Sequence, residues 1–221
     1  MSLSSLPDTI ADTERIASPE MESFHTELQV SRHSLNDKEK MEIISQHFKT
    51  IMETLGLDLT DDSLKDTPGR VAKMFVKEIF SGLNPANKPA ISLFDNSYEY
   101  GGMLIEKDIT LYSYCEHHFV PIIGKVHVAY IPDKKVIGLS KINRLTQYYA
   151  KRPQVQERLT MQIAEGLKEA LHTEDVAVRI DAAHLCVSSR GIEDSKSSTT
   201  TAAYFGKFQE EKMKTEFLSA L

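Results

Sequence analysis

The stretch Ile105-Glu106-Lys107-Asp108-Ile109-Thr110-Leu111-Tyr112 alternates in character residue by residue and runs on into Cys115. Alternation with a period of two sends successive side chains to opposite faces of a strand. Ile105, Lys107, Ile109 and Leu111 are therefore expected on one face, with Glu106, Asp108, Thr110 and Tyr112 on the other. Val126, Val128 and Tyr130 resume the period after Gly124, which predicts two long neighbouring antiparallel strands.

Downstream, Pro132-Asp133 makes a turn and Val136 to Leu139 a short extended piece, and Ser140 is placed to cap a helix through Tyr149. A second helix is expected after Pro153, where Val155, Leu159, Ile163, Leu167 and Leu171 recur every four residues. Val176, Val178 and Ile180 restore strand alternation up to His184 and Cys186; Thr199 to Phe208 reads as a last strand, and a short helix carries Met213, Phe217 and Leu221. Upstream the period is helical. Asn36 and Glu39 form a capping box ahead of Met41, Ile44, Phe48, Ile51 and Leu55, with a stop at Gly56. Thr67-Pro68 opens a second helix through Val71, Met74, Phe75 and Ile79 to Gly82. The order defines an α+β fold with a helical appendage in front. Its expected parts are a mobile tail over 1–35, a helical region over 36–89 and a catalytic domain over 90–221.

Composition narrows the function. The 221 residues are 41% hydrophobic with a net charge of −6, enough apolar content for a core and no basic field to hold nucleic acid or an anionic membrane. The first residues lack an apolar signal segment, and no apolar run is long enough for a bilayer, so the expected address is the cytoplasm.

The two cysteines both sit beside histidine, in Cys115-Glu116-His117-His118 and His184-Leu185-Cys186. Thiolate and imidazole ligands gathered from distant points suit zinc better than a disulfide in a chain with no secretory signal. With Cys115, His118 and Cys186 as ligands, zinc has three protein donors and a fourth position for a water to be activated. On a strand, His184 and Cys186 would point together. Two thiolates temper the acidity of bound water, and histidine is the side chain whose unperturbed pKa lies nearest neutrality, so His117 and His184 are the natural proton-transfer groups beside the ion. A purely structural zinc is the competing reading, although structural sites normally take four protein ligands. The histidines at 25, 33, 47, 127 and 172 read as structural or solvated.

An anionic substrate needs local cations. Lys141 and Arg144 share a face in the first turns of the helix predicted after Ser140, Arg190 follows Cys186 by four residues, and Arg70 lies in the second helix. Singly each would be a solvated surface charge; their placement around the metal motifs points to phosphate.

Cys115-Glu116-His117-His118-Phe119, Ile137-Gly138-Leu139-Ser140-Lys141-Ile142-Asn143-Arg144, Arg152-Pro153-Gln154-Val155-Gln156-Glu157-Arg158-Leu159, His184-Leu185-Cys186 and Arg190-Gly191-Ile192 together resemble the GTP cyclohydrolase I family, from about residue 40 onward. The resemblance implies a tunnelling fold, with antiparallel sheets and layered helices joined side by side into barrels in a homodecamer of two pentamers. It also implies conversion of GTP to formate and 7,8-dihydroneopterin triphosphate, the entry to folate and pterin synthesis. On this chain it implies zinc on Cys115, His118 and Cys186, proton transfer by His117 and His184 around hydrolysis at purine C8, and Ser140 in the sugar rearrangement. Glu157 would read guanine with help from Gln156, while Lys141, Arg144, Arg190 and Arg70 would hold the triphosphate in a pocket between subunits. Two alternatives remain at this point. A related nitrile reductase on a deazaguanine would need a free nucleophilic cysteine, and a non-catalytic zinc-containing purine-binding protein would bind without releasing formate.

Overall fold

The computed structural model describes residues 35–221; apart from Leu35, the segment expected as a tail lies outside the described residues. Helix α1 (Asp37–Thr54) begins at the expected capping box: Asn36 Oδ1 accepts from the Lys38 and Glu39 amides, and Glu39 Oε2 accepts from the Asn36 amide at 2.7 Å. Its covered stripe follows the expected one through Met41, Ile44 and Phe48 and departs from it in the last turn. Met52 is buried, while Ile51 and Leu55 face outward at 52% and 72% exposure; α1 packs on α2 (Thr67–Met74). Both Ile51 and Met52 satisfy a helical period after Phe48, so periodicity alone does not choose between them.

The second helix does not run unbroken to Gly82. After Met74 it widens into a turn over Phe75–Ile79, in which the Phe80 amide donates to the Phe75 carbonyl at 3.1 Å. Gly82 then passes so close to the end of a later helix that an added Cβ would lie 2.1 Å from the Tyr148 carbonyl oxygen. Its own amide donates to the Lys151 carbonyl, and Arg152 Nε donates to the Gly82 carbonyl. The helical region is thus docked by backbone contact that only glycine permits.

A five-stranded sheet follows in the order β5-β2-β3-β6-β7, with β2 (Leu104–Cys115), β3 (Pro121–Tyr130), β5 (Pro153–Gln154), β6 (Val176–His184) and β7 (Thr199–Tyr204). All pairings are antiparallel except that of β5 with the end of β2. Strands β1 (Leu93–Asp95) and β4 (Lys135–Ile137) form a separate antiparallel pair. On one face of the main sheet, Leu111, Val126, Val128, Val178 and Ile180 pack against α3 (Leu139–Ala150) and α4 (Gln156–Leu171) through Ile142, Leu145, Leu159, Ile163 and Leu167, all buried. Each such side chain contributes about 1.5–3 kcal/mol by leaving water.

The other face carries α6 (Glu211–Ser219), whose Phe217 meets Phe208, Ala129 and Ala177. Ile105 belongs to this second cluster, not with Ile109 and Leu111 as simple alternation predicts. The β2–β3 register skips between Glu106 and Ile109, and Asp108 takes a left-handed φ of 60°. This bulge inserts one extra residue and reverses which side chains face the core. Its freed Asp108 amide donates to Nδ1 of buried His127 at 3.2 Å.

Three further expectations change at element ends. Helix α3 takes Gly138, not Ser140, as its N-cap, so Ser140 lies within the first turn. Strand β7 stops at Tyr204, ahead of a tight turn over Gly206–Gln209. Strand β6 stops at His184, so Cys186 lies in the short helix α5 (Leu185–Ser188) and not on a strand beside His184.

Candidate functional site

The sheet's connectivity brings several chain segments to one end of it. Register pairs Tyr114 with Pro121, Ile122 with His184, Cys115 with Gln154 and Ala182 with Thr199. The end of β2, the start of β3, the end of β6 and the start of β7 are therefore neighbours, joined by β5 and the first turn of α4. Cys115, His117, His118, Gln156, Glu157, His184 and Cys186 all fall at this end.

Within it, donor atoms of Cys115, His118 and Cys186 all lie within 4.8 Å of one another. Cys115 Sγ is 3.8 Å from His118 Nδ1, close to the roughly 3.5–3.8 Å that tetrahedral zinc geometry requires between sulfur and nitrogen ligands. Spacing and donor softness both fit zinc. Burial, and then the Cys115 thiol beside it, push the Cys186 thiol up, while Arg190 draws it down; a bound dication would favour the thiolates. The turn carrying His118 is fixed by backbone: Phe119 donates to the Cys115 carbonyl and Cys115 to that of Val120, both at 2.9 Å. Glu116 donates from its amide to the Gln154 carbonyl and pairs through its carboxylate with Arg158, itself held by Gln154 Oε1 and the Pro153 carbonyl.

His184 is held by one buried side chain. Gln156, 1% exposed, donates from Nε2 to the carbonyls of Ile180 (3.2 Å) and Thr199 (2.9 Å) and to Thr201 Oγ1 (3.1 Å). Two of those three are carbonyls, which accept only, so the amide cannot be flipped. Its Oε1 is left facing His184 Nε2 at 2.8 Å, which must therefore carry the proton in that bond. In the neutral ring Nδ1 is then the free acceptor. Burial pushes the His184 pKa down, and the neighbouring Glu157 carboxylate works against that. His117, by contrast, is two-thirds exposed in the turn, with Nε2 3.9 Å from Glu116 Oε1.

The cations divide. Arg190 is close enough to lower the Cys186 thiol's pKa. Arg70 is exposed on α2 and paired with Asp66 at 3.3 Å. Lys141 and Arg144, with Ser140, begin α3, whose far end sits at the metal end of β2: Ser113 Oγ donates to the Ala150 carbonyl at 2.7 Å, and Gln147 Nε2 to that of Thr110. About 15 Å of helix separates Ser140 from Ala150. One chain does not bring Ser140, Lys141 and Arg144 to its own Cys115, although the sequence places all of them near metal motifs. Contacts that sequence reading passed over are Arg158 on Glu116, Thr201 and Thr160 behind Gln156, and the Phe80 ring on Phe119. Arg158 and Glu116 stand inside the quoted motifs; nothing in the linear sequence marks Thr201 or Phe80.

An α+β scaffold gathers two sulfurs and an imidazole at one sheet end, with a second imidazole of fixed tautomer at the same end, a donor set that could hold a soft-ligand metal ion. The family model described as GTP cyclohydrolase I matches residues 44–221. A protein of Flavobacterium johnsoniae named GTP cyclohydrolase 1 is 64% identical over 184 residues, covering 83% of this chain and 82% of that one. Proteins of the same name from Aeromonas salmonicida and Escherichia coli O1:K1 are 52% identical over 202 and 199 residues, with at least 90% of each chain covered. The chain belongs to the GTP cyclohydrolase I family.

Proposed function

We propose that this protein hydrolyses and rearranges GTP to 7,8-dihydroneopterin triphosphate and formate, the entry step of tetrahydrofolate and pterin synthesis. The observation that carries this reading is the convergence of Cys115, His118 and Cys186 beside a His184 held by Gln156, in a chain of this family. Zinc bound by those three donors would supply a polarised water for attack at purine C8. His184, its Nε2 engaged by Gln156, donates a proton from Nδ1 of its protonated ring to the purine imidazole nitrogen and returns to the neutral form, and exposed His117 serves the second proton relay. Glu157 reads the guanine edge, accepting from the ring N–H and the exocyclic amine. Gln156 contributes to that pocket.

Lys141, Arg144, Arg190 and Arg70 hold the triphosphate, and Ser140 serves the sugar rearrangement. The placement of Ser140, Lys141 and Arg144 along α3, away from their own chain's cluster, supports a pocket completed by a second copy. That fits a tunnelling fold in which copies join sheet to sheet, as a decamer of two pentamers, with 36–89 as a helical region and 90–221 as the catalytic domain. Among the described residues no helix is long and apolar enough to cross a membrane, in keeping with a cytoplasmic enzyme. The nitrile reductase reading is disfavoured because both cysteines belong to the metal cluster.

The test is a zinc-loaded preparation given GTP. Stoichiometric formate and a product that becomes a fluorescent pterin on oxidation are expected; zinc and GTP binding with neither product would leave a non-catalytic purine-binding protein.

A further inference from the structure

We propose that Phe80, in the helical region ahead of the sheet, is a positioning residue for the metal loop: through the Phe119 ring it holds the left-handed backbone that aims His118 at Cys115 and Cys186. Phe119 follows His118 directly and has φ of 54°, a conformation that a bulky L-residue resists and glycine accepts freely. Something must hold it there. The Phe119 ring lies edge-on to Phe80 with centroids 4.9 Å apart and to Phe75 at 6.2 Å, and Phe80 in turn meets Tyr114, one residue before Cys115, at 5.8 Å.

The widened turn after α2 explains how two phenylalanines reach one ring. Residues five apart on a regular α-helix point about 140° apart, but here the Phe80 amide bonds back to the Phe75 carbonyl, and the two rings touch at 5.4 Å. Phe80 is 8% exposed and Phe119 46%, so the anchor is buried and the clamped ring is at the rim. The same Phe119 supplies the amide that closes the turn on the Cys115 carbonyl at 2.9 Å. Losing the clamp frees Phe119 to relax out of the left-handed region, opening that hydrogen bond and swinging His118 away from the two sulfurs.

This inference rests on the reading of the cluster as a zinc site, and the experiment separates the two. Zinc affinity of the full-length protein is measured by competition with a chromophoric chelator, alongside thermal midpoints of the zinc-free protein. Phe119→Leu keeps the strained backbone without the aromatic contact, and Phe119→Gly removes strain and contact together. Phe119→Leu and Phe80→Leu are each expected to weaken zinc about tenfold, whereas Phe119→Gly, alone or combined with Phe80→Leu, stays within about threefold of the parent. Undiminished affinity in Phe119→Leu, or equal loss in Phe119→Leu and Phe119→Gly, overturns the clamp. The Phe119 pair decides the matter even if Phe80→Leu does not fold. A parent protein that binds no zinc overturns the site reading instead.

Discussion

Gln156 Oε1 stands 2.8 Å from His184 Nε2, and the amide behind it is committed to Ile180, Thr199 and Thr201. The glutamine is thereby fixed as an acceptor and the histidine as a donor at that nitrogen. Gln156→Met, which preserves volume, strands the buried Ile180 carbonyl, removes the bond to the Thr199 carbonyl and frees the ring, at a cost of about 1–3 kcal/mol in stability. Turnover should fall about 10–100-fold with zinc content near one per chain. Formate release, metal analysis and the thermal midpoint check this together; unchanged kcat would mean that His184 needs no such partner.

Cys186 and His184 are two residues apart, but β6 ends at His184 and Cys186 lies in α5, and the proposed function gives them different duties. Cys186→Ser should lose metal and turnover together, and His184→Ala should keep the metal and lose turnover. Zinc per chain in the two variants is the measurement, and equal depletion in both would make His184 a ligand.

Glu157 is exposed at the start of α4 and near enough to His184 to affect its proton affinity. Glu157→Gln replaces a carboxylate that accepts twice with an amide that accepts once and donates, so the guanine edge meets a mismatched donor. GTP binding should weaken by about 10- to 100-fold, the equivalent of losing one charge-assisted pair. Equilibrium titration with GTP decides it.

His127 accepts the Asp108 amide at Nδ1, so protonating that nitrogen breaks the bond that stabilises the bulge. Burial holds its pKa below the ordinary 6.5, partly opposed by the carboxylates of Asp108 and Asp181 and reinforced by the cations of Arg179 and Lys125. With the folded value depressed, the unfolded chain takes the proton first as pH falls. The stability His127 contributes is thus fully present above its unfolded value and is lost as pH drops through the folded one. The thermal midpoint should decline between about pH 7 and 5, and less steeply in His127→Gln. Parallel curves would remove His127 from the cause.

Much of this molecule could be read from the chain because its signals are local. The capping box at Asn36, the alternation around Val126 and the four-residue repeat from Leu159 to Leu171 depend on neighbours in sequence, and they survive folding. The clustering of Cys115, His118 and Cys186 was legible for a different reason: cysteine beside histidine is rare chemistry. What escaped depends on partners far along the chain. The extra residue at Asp108 is visible only against β3, the burial of Met52 in place of Ile51 only in the packed molecule, and the separation of Ser140 from Cys115 only once α3 lies along β2.

The bulge in β2 lets one strand serve two layers. Its first residues adhere to the C-terminal helix and its last ones to the long helices opposite, so a single uninterrupted ribbon laces the front and back of the molecule together. Excising Asp108 would therefore remove the surplus residue and leave plain alternation, with Ile105 and Ile109 on the opposite sides they already occupy; it is filling the bulge into a regular strand without that deletion that would turn everything upstream inside out.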